Sequence, residues 1–462
     1  DPEAYRAILE ADRLSRQRFS GHGSALAQVY NHIIMPLANS RDKRTQILWG
    51  IRDFEYRFGS RPEGMWLAET AVDLESLDIM AEQGIKFTIL APHQAKRAKR
   101  IDESREWNPD DANYIDLRRP YLCRLPSGRS IAIFFYDGPI SRAVGFEGLL
   151  HSGESLARRI VGAFDLQAEE NQLVHIATDG ESYGHHHKFG DMALAYCLHY
   201  IEKNSLAKLT IYGEYLERNP PEYEVELVEN TSWSCIHGIE RWRDNCGCNS
   251  GANPSWNQEW RGPLRKSLDW LRDRAAVIYE RELKGLVADY WAFRDSYIEV
   301  ILDRSRYNVD RFLSQRVNKV LSPEEKNKVL RCLEIQRNAL LMYTSCGWFF
   351  DDISGIETVQ IIKYAARIIQ LIRRVTGEDL ELGFIELLGK AKSNVSQANN
   401  GARIYKSYVE PSIVDILRVG AHYAMSSLYH DYPQDARLYC FSVHRLAYDK
   451  QAADLVDLFQ KN

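Results

Sequence analysis

Through the first 230 residues, short apolar runs alternate with stretches in which apolar positions recur at helical spacing. The runs QILWGI (46–51), GMWLA (64–68), KFTILA (86–91), SIAIFFY (130–136) and LVHIA (173–177) are rich in β-branched and aromatic residues and read as strands. Between them, 72–82 and 155–164 have helical periodicity, the second preceded by a Ser/Gly/Glu start signal. This alternation predicts a largely parallel sheet, open or closed into a barrel. After about residue 260 the pattern lengthens. Segments 264–302, 323–343, 358–375 and 411–428 read as amphipathic helices with Lys, Arg and Glu on their outer faces. Their apolar stripes need partners, which predicts a helical bundle packed on the sheet domain. The expected class is α/β, with a barrel-type domain over 1–260 and an α-helical bundle over 261–462.

The apolar runs end in reactive residues: Trp66-Leu67-Ala68-Glu69, Ala91-Pro92-His93-Gln94, Tyr136-Asp137-Gly138 and Thr178-Asp179-Gly180-Glu181. Active sites of α/β barrels and open α/β sheets lie at the carboxyl ends of the strands, so four such endings point to one rim.

Composition narrows the chemistry. The 462 residues are 45% hydrophobic and 27% charged with a net charge of −5, ordinary for a globular enzyme and without the basic surface that nucleic acid requires. No run approaches membrane-spanning length and no signal peptide is visible, although the chain begins at Asp1. The 25 Tyr and 10 Trp suit the apolar faces of sugar rings, or simply a core. Eight scattered cysteines, Cys123, Cys197, Cys235, Cys246, Cys248, Cys332, Cys346 and Cys440, argue against a disulfide framework and for a reducing, cytoplasmic setting.

Glu69 and Asp179 form a candidate catalytic pair. Cleaving a glycosidic bond takes one carboxyl to protonate the leaving oxygen and another to attack or stabilise the anomeric carbon, roughly 5–5.5 Å apart in retaining enzymes. Repulsion between them and partial desolvation would raise the acid's proton affinity.

At these residues the chain resembles glycoside hydrolase family 57. PEGMWLAETAVD (62–73) resembles the family's nucleophile motif, IATDGESYGHHH (176–187) its acid/base motif, and GHGSALAQVYNHIIMPL (21–37) its second conserved region. The resemblance implies an incomplete (β/α)7 barrel followed by a helical bundle. It also implies a retaining hydrolase or transglycosylase acting on α-linked glucans without a catalytic metal. Glu69 would be the nucleophile and Asp179 the general acid/base. His32, Trp66, His93, Asp137, His185 and Trp233 would contact sugar, with Glu181 orienting its neighbours. The loop TSCGWFFDDISG (344–355) resembles the fifth region, which would add Trp348 and Asp351 to the cleft. Equally, Trp348, Phe349 and Phe350 could seal the barrel against the bundle. The family's first region, a His-x-His signature, is not found in this sequence, so a preceding or separate N-terminal segment is expected to complete the barrel.

Three adjacent histidines, His185, His186 and His187, cannot all point one way, so His185 as a sugar ligand is preferred to a metal there. A different metal question arises at TSWSCIHGIERWRDNCGCNSG (231–251). Cys235, His237, Cys246 and Cys248 make a ligand set that suits tetrahedral zinc, although the spacing is no standard finger and the cysteines could be ordinary thiols in a Trp-rich substrate loop. Two other functions remain open. One is a metal-dependent carbohydrate deacetylase, with Asp137, Asp179 and the His185 region as ligands. The other is a glucan-binding protein without turnover.

Overall fold

The computed structural model describes residues 1–103, 107, 115–438 and 441–449. Cys440 lies outside them. The chain divides into two compact units, Asp1–Tyr405 and Lys406–Asn462.

In the first unit the described residues form seven strands: β1 (Ala27–Gln28), β2 (Met65–Trp66), β3 (Phe87–Leu90), β4 (Ala95–Arg100), β5 (Tyr121–Arg124), β6 (Ser130–Phe135) and β7 (Tyr223–Leu227). β1 pairs in parallel with β2, a parallel bridge from Gly64 to Phe87 joins β2 to β3, and β3 pairs in parallel with β6. β5 then lies antiparallel to β6, with β7 and β4 beyond it. β3 is buried throughout and β6 nearly so, which is why both read as unbroken apolar runs rather than alternating ones.

Two expected strands take other forms. QILWGI lies in the middle of the helix Ser40–Phe58. A short apolar run does not distinguish a strand from a buried helix; the flanking signals do. The Asn39 side chain accepts from the Asp42 N–H at 2.9 Å, and Gly59, in the left-handed region at φ 67°, stops the last turn. Ile47, Trp49, Ile51 and Phe54 are all buried, and Trp49 Nε1 donates to the Asp295 carbonyl at 2.8 Å. LVHIA is extended but makes no ladder. Leu173 N–H donates to Arg118 O, His175 O accepts from Asp137 N–H, and Ala177 N–H is taken by the Ser141 hydroxyl. Its bonds go one at a time to different partners, yet it still runs beside the end of β6.

The expected helices form as Leu74–Glu82, Gly153–Val161, Pro323–Leu341 and Ile356–Thr376. Segment 264–302 is not one helix but Arg261–Glu282, Tyr290–Ser296 and Ile298–Leu302. Asp289 starts the second by accepting from Trp291 N–H at 2.9 Å. Arg261–Glu282 packs on Pro323–Leu341 and on Glu381–Leu388, and Pro323–Leu341 packs on Ile356–Thr376. The second unit holds the helix Ile416–Ser426, capped by Asp415, and an antiparallel hairpin, Asp435–Leu438 with Phe441–His444. Among the described residues no helix is long and apolar enough to cross a membrane.

Candidate active site

The carboxyl ends of β1, β2, β3 and β6 carry His32, Glu69, His93 and Asp137, and Asp179 follows the extended segment beside β6. Three backbone positions on this rim are left-handed without being glycine: His32 at φ 53°, Glu69 at φ 57° and Thr70 at φ 51°. Such conformations cost on the order of 1–3 kcal/mol each and persist only where surrounding contacts over-determine them. For Glu69 and Thr70 those contacts come from two directions. Trp233 N–H donates to Glu69 O at 3.0 Å. From below, buried Gln94 accepts from the Thr70 hydroxyl (2.9 Å) and Ala91 N–H (2.8 Å), and its amide donates to Thr70 O (2.8 Å) and Thr231 O (3.1 Å). Gln94→Ala would leave several of these groups buried and unpaired. We expect a loss of about 2–4 kcal/mol in urea unfolding, and unchanged stability would contradict this role.

The Glu69 side chain receives two donors at one oxygen. Trp233 Nε1–H reaches Oε2 at 2.8 Å and Ser234 Oγ–H at 2.6 Å. The Trp233 ring meets Trp66 edge-on at 5.2 Å and Tyr136 at 6.0 Å between centroids, forming an aromatic wall beside the carboxylate. His93 Nε2 hydrogen-bonds the Ser232 carbonyl at 3.0 Å, propping the same loop. His32 pairs through Nδ1 with Ser345 Oγ at 2.8 Å.

Asp179 is exposed to solvent. Partial desolvation, then the negative charges of Glu69 and Glu181, push its carboxyl above the ordinary aspartate range, against opposing pulls from His32 and His186. Glu69, Asp179, Glu181, His32 and His186 therefore share one electrostatic neighbourhood. A raised carboxyl favours folding in its neutral form. Its contribution is complete below the usual aspartate pKa and is lost as pH rises through the elevated value. Asp179→Asn, permanently neutral, should therefore melt higher than the native chain at neutral pH, and the two should converge below about pH 4. Equal melting temperatures at neutral pH would contradict it.

The other expected site residues fall into two groups. His185 is exposed and stacks edge-on with His186, whereas His187 is anchored by Nε2 to Gly145 O at 2.9 Å. Asp137 caps the helix Gly138–Phe146 through Ile140 N–H and lines a cavity of about 230 Å³ with His175, Asp116 and Arg118. Trp348 and Asp351 are both buried. Trp348 donates to Arg261 O at 3.3 Å, and both Asp351 carboxylate oxygens are taken by Ser250, through N–H at 2.7 Å and Oγ at 2.6 Å. The loop they belong to does reach the rim, but through Ser345 and Cys346. The Cys346 thiol is held above its ordinary range by burial and by the Glu69 charge. Sequence reasoning missed Ser234, whose only signal was its place beside the singled-out Trp233; Gln94 and His186 stood in motifs it named but were assigned no contact of their own.

Among the described residues, the one group of His, Cys, Asp and Glu close enough to hold a metal is Cys235, His237, Cys246 and Cys248, whose ligand atoms all lie within 4.8 Å of one another. Asp137, Asp179 and His185 form no such group, so a metal-dependent deacetylase is not favoured.

Among proteins of curated function none matches the chain by sequence. Residues 17–228 match glycosyl hydrolase family 57, and residues 256–459 match a domain of unknown function (DUF3536). An exo-type maltose-forming amylase from Pyrococcus sp. ST04 has a similar structure, at 16% identity over 84% of this chain and 73% of that one, with a TM-score of 0.65. A family 57 branching enzyme from Thermococcus kodakaraensis is similar at 16% identity over 89% and 76%, TM-score 0.52. An alpha-amylase from Thermotoga maritima is similar at 13% identity over 87% and 77%, TM-score 0.51. These likenesses bear out the expected α/β fold, an incomplete (β/α)7 barrel followed by helices. The family match spans the strands, the Glu69 turn and Asp179 together. Through residues 17–228, somewhat under half of its length, the chain is similar to glycosyl hydrolase family 57.

Proposed function

We propose that this protein is a retaining glycoside hydrolase or transglycosylase acting on α-linked glucans, with Glu69 as nucleophile and Asp179 as general acid/base. The observation that carries this reading is the Asp179 carboxyl, raised in part by the charge of Glu69. Two carboxyls in one field, one hydrogen-bonded by Trp233 and Ser234 and the other favouring its proton, have the asymmetry that glycosyl transfer needs. The similar structures, two amylases and a branching enzyme, point to the same substrate class.

Glu69 attacks the anomeric carbon while Asp179 protonates the departing oxygen, giving a glycosyl-enzyme ester. Asp179, now the base, takes the proton of water or of a glucan hydroxyl as it displaces Glu69. Trp66 and Trp233 offer aromatic faces to the ring, and His32, His93, Asp137 and His185 supply polar contacts around it. Catalysis requires no cofactor. The Cys235, His237, Cys246 and Cys248 tetrad holds a structural zinc, and its reduced thiols suit a cytoplasmic setting.

The test is product analysis on an α-1,4-glucan with early anomer detection by NMR. Shortened, elongated or branched chains bearing the α configuration are expected. Tight oligosaccharide binding without turnover would make the protein a glucan-binding one, and acetate release from acetylated sugars would return the deacetylase reading.

A further inference from the structure

Three edges of the Cys/His tetrad match those of an occupied zinc site, and its four ligand atoms all lie within 4.8 Å of one another. Zinc bonded to sulfur at about 2.3 Å and to nitrogen at about 2.0–2.1 Å implies tetrahedral edges of roughly 3.8 Å between sulfurs and about 3.6 Å between sulfur and nitrogen. Here Cys235 Sγ lies 3.9 Å from Cys246 Sγ and 3.7 Å from Cys248 Sγ, and Cys248 Sγ lies 3.5 Å from His237 Nδ1. A disulfide would bring two of these sulfurs to about 2.05 Å. Gly247, at φ 82°, supplies the left-handed turn that lets both flanking cysteines face the same point.

A second observation is independent of those distances. Arg261 is fully buried, and its guanidinium donates to Cys248 O (2.9 Å), Phe350 O (3.2 Å) and Phe349 O (3.3 Å) and approaches Cys246 Sγ at 3.9 Å. Among the described residues no carboxylate pairs with it directly. A buried cation needs an anion beside it. Three thiolates and a neutral imidazole around a divalent ion carry one net negative charge, and Arg261 balances it. Three neutral thiols would leave Arg261 only the Asp351 carboxylate, which is not hydrogen-bonded to it, as a balancing charge.

The tetrad also continues directly into the site. Trp233 and Ser234, the two donors to Glu69 Oε2, immediately precede Cys235. Upstream the loop is fixed by the Val72–Thr231 bridge and by Gln94 on Thr231. Downstream, the Ser232–Cys235 bridge and the Ser232 hydroxyl on Gly238 O (2.6 Å) close the turn on itself, and Cys235 is what the tetrad ties to Cys246 and Cys248 in the rest of the loop. We infer that a zinc ion in the Cys235/His237/Cys246/Cys248 tetrad, charge-balanced by Arg261, is the pin that holds Trp233 and Ser234 on Glu69, so that metal occupancy controls the competence of the site. Trp233 and Ser234 are thus positioning residues for Glu69, set by the metal. The inference deepens the glucan-active reading and rests on it for its effect on turnover.

The experiment uses the full chain. Metal content is measured by atomic spectroscopy, zinc is removed with a chelator and restored, and cobalt is substituted to read ligand geometry by visible absorption. The emission assigned to Trp233, by difference from Trp233→Phe, reports the loop, and far-UV circular dichroism reports the fold. We expect one zinc per chain and intense tetrahedral thiolate bands with cobalt. Removal should shift the Trp233 emission with the fold intact and lower kcat by about 10–100-fold, the usual cost of losing a supporting shell, with a smaller change in KM. Readdition should reverse both. Absence of stoichiometric zinc, or zinc removal that leaves the Trp233 emission unchanged, would overturn the inference. An emission response to metal in a chain that never turns over glucan would uphold the pin and sink the glucan-active reading instead.

Discussion

Replacing Glu69 with glutamine is expected to lower kcat/KM for maltooligosaccharides by on the order of 10⁴-fold or more, with little effect on folding. The carboxamide oxygen can still accept from Trp233 Nε1 and Ser234 Oγ, and the left-handed backbone at φ 57° is held through Trp233, not through the side-chain charge. What the substitution removes is nucleophilicity. An amide does not form the glycosyl ester, so the covalent route closes while the binding surface stays. The split between parameters matters as much as the size of the loss. KM or oligosaccharide Kd should change little, because the residue's contribution is made in the transition state. A variant with near-native turnover would remove Glu69 from the mechanism.

Asp179→Asn should show a loss that depends on the leaving group. General acid catalysis contributes typically 10²–10⁴-fold, and that full range is expected for natural glucans, whose departing oxygen is strongly basic. A glycosyl fluoride or dinitrophenyl glycoside needs no proton to depart. Its glycosylation step should fall far less, and deglycosylation, now without a base, should become limiting. Accumulated glycosyl-enzyme would then be visible by intact-mass spectrometry. The raised proton affinity of Asp179 also sets the basic limb of the pH profile of kcat/KM, because only the protonated form serves as acid. Equal losses on good and poor leaving groups would assign the proton transfer elsewhere.

The rim was legible because chemistry and strand endings coincide in the sequence. β3 and β6 are buried on both faces, so they are written as plain apolar runs, and His93 and Asp137 stand where those runs stop. QILWGI misled for the same reason in reverse, since an apolar run inside a helix buried on more than one side looks like a strand until Asn39 and Gly59 are read as its ends. Gln94 was not legible. Its importance lies in reaching Thr70 and Thr231, which are distant in the chain, and a glutamine after a strand carries no local sign of that. The loop 344–355 divides between the two expectations. Its aromatic Trp348 is sealed in the interior while its neighbours Ser345 and Cys346 meet His32 and the field of Glu69. Which residue of such a turn faces a cleft depends on packing that no spacing rule contains. The tetrad spacing suggested a metal but left thiols possible. Arg261, some 13 residues beyond Cys248 in sequence and hydrogen-bonded to its carbonyl, tilts the balance only in three dimensions.

The most direct measurement of the central claim is the anomeric configuration of the azide formed when external azide rescues each truncated carboxylate on an α-glycosyl fluoride. Asp179→Ala should return the α-glycosyl azide, because azide meets the glycosyl-enzyme on the face that water would have used. Glu69→Ala should return the β-glycosyl azide, formed by azide occupying the nucleophile's own place. An α product from the Glu69 variant, or a β product from the Asp179 variant, would contradict the assignment of these two residues.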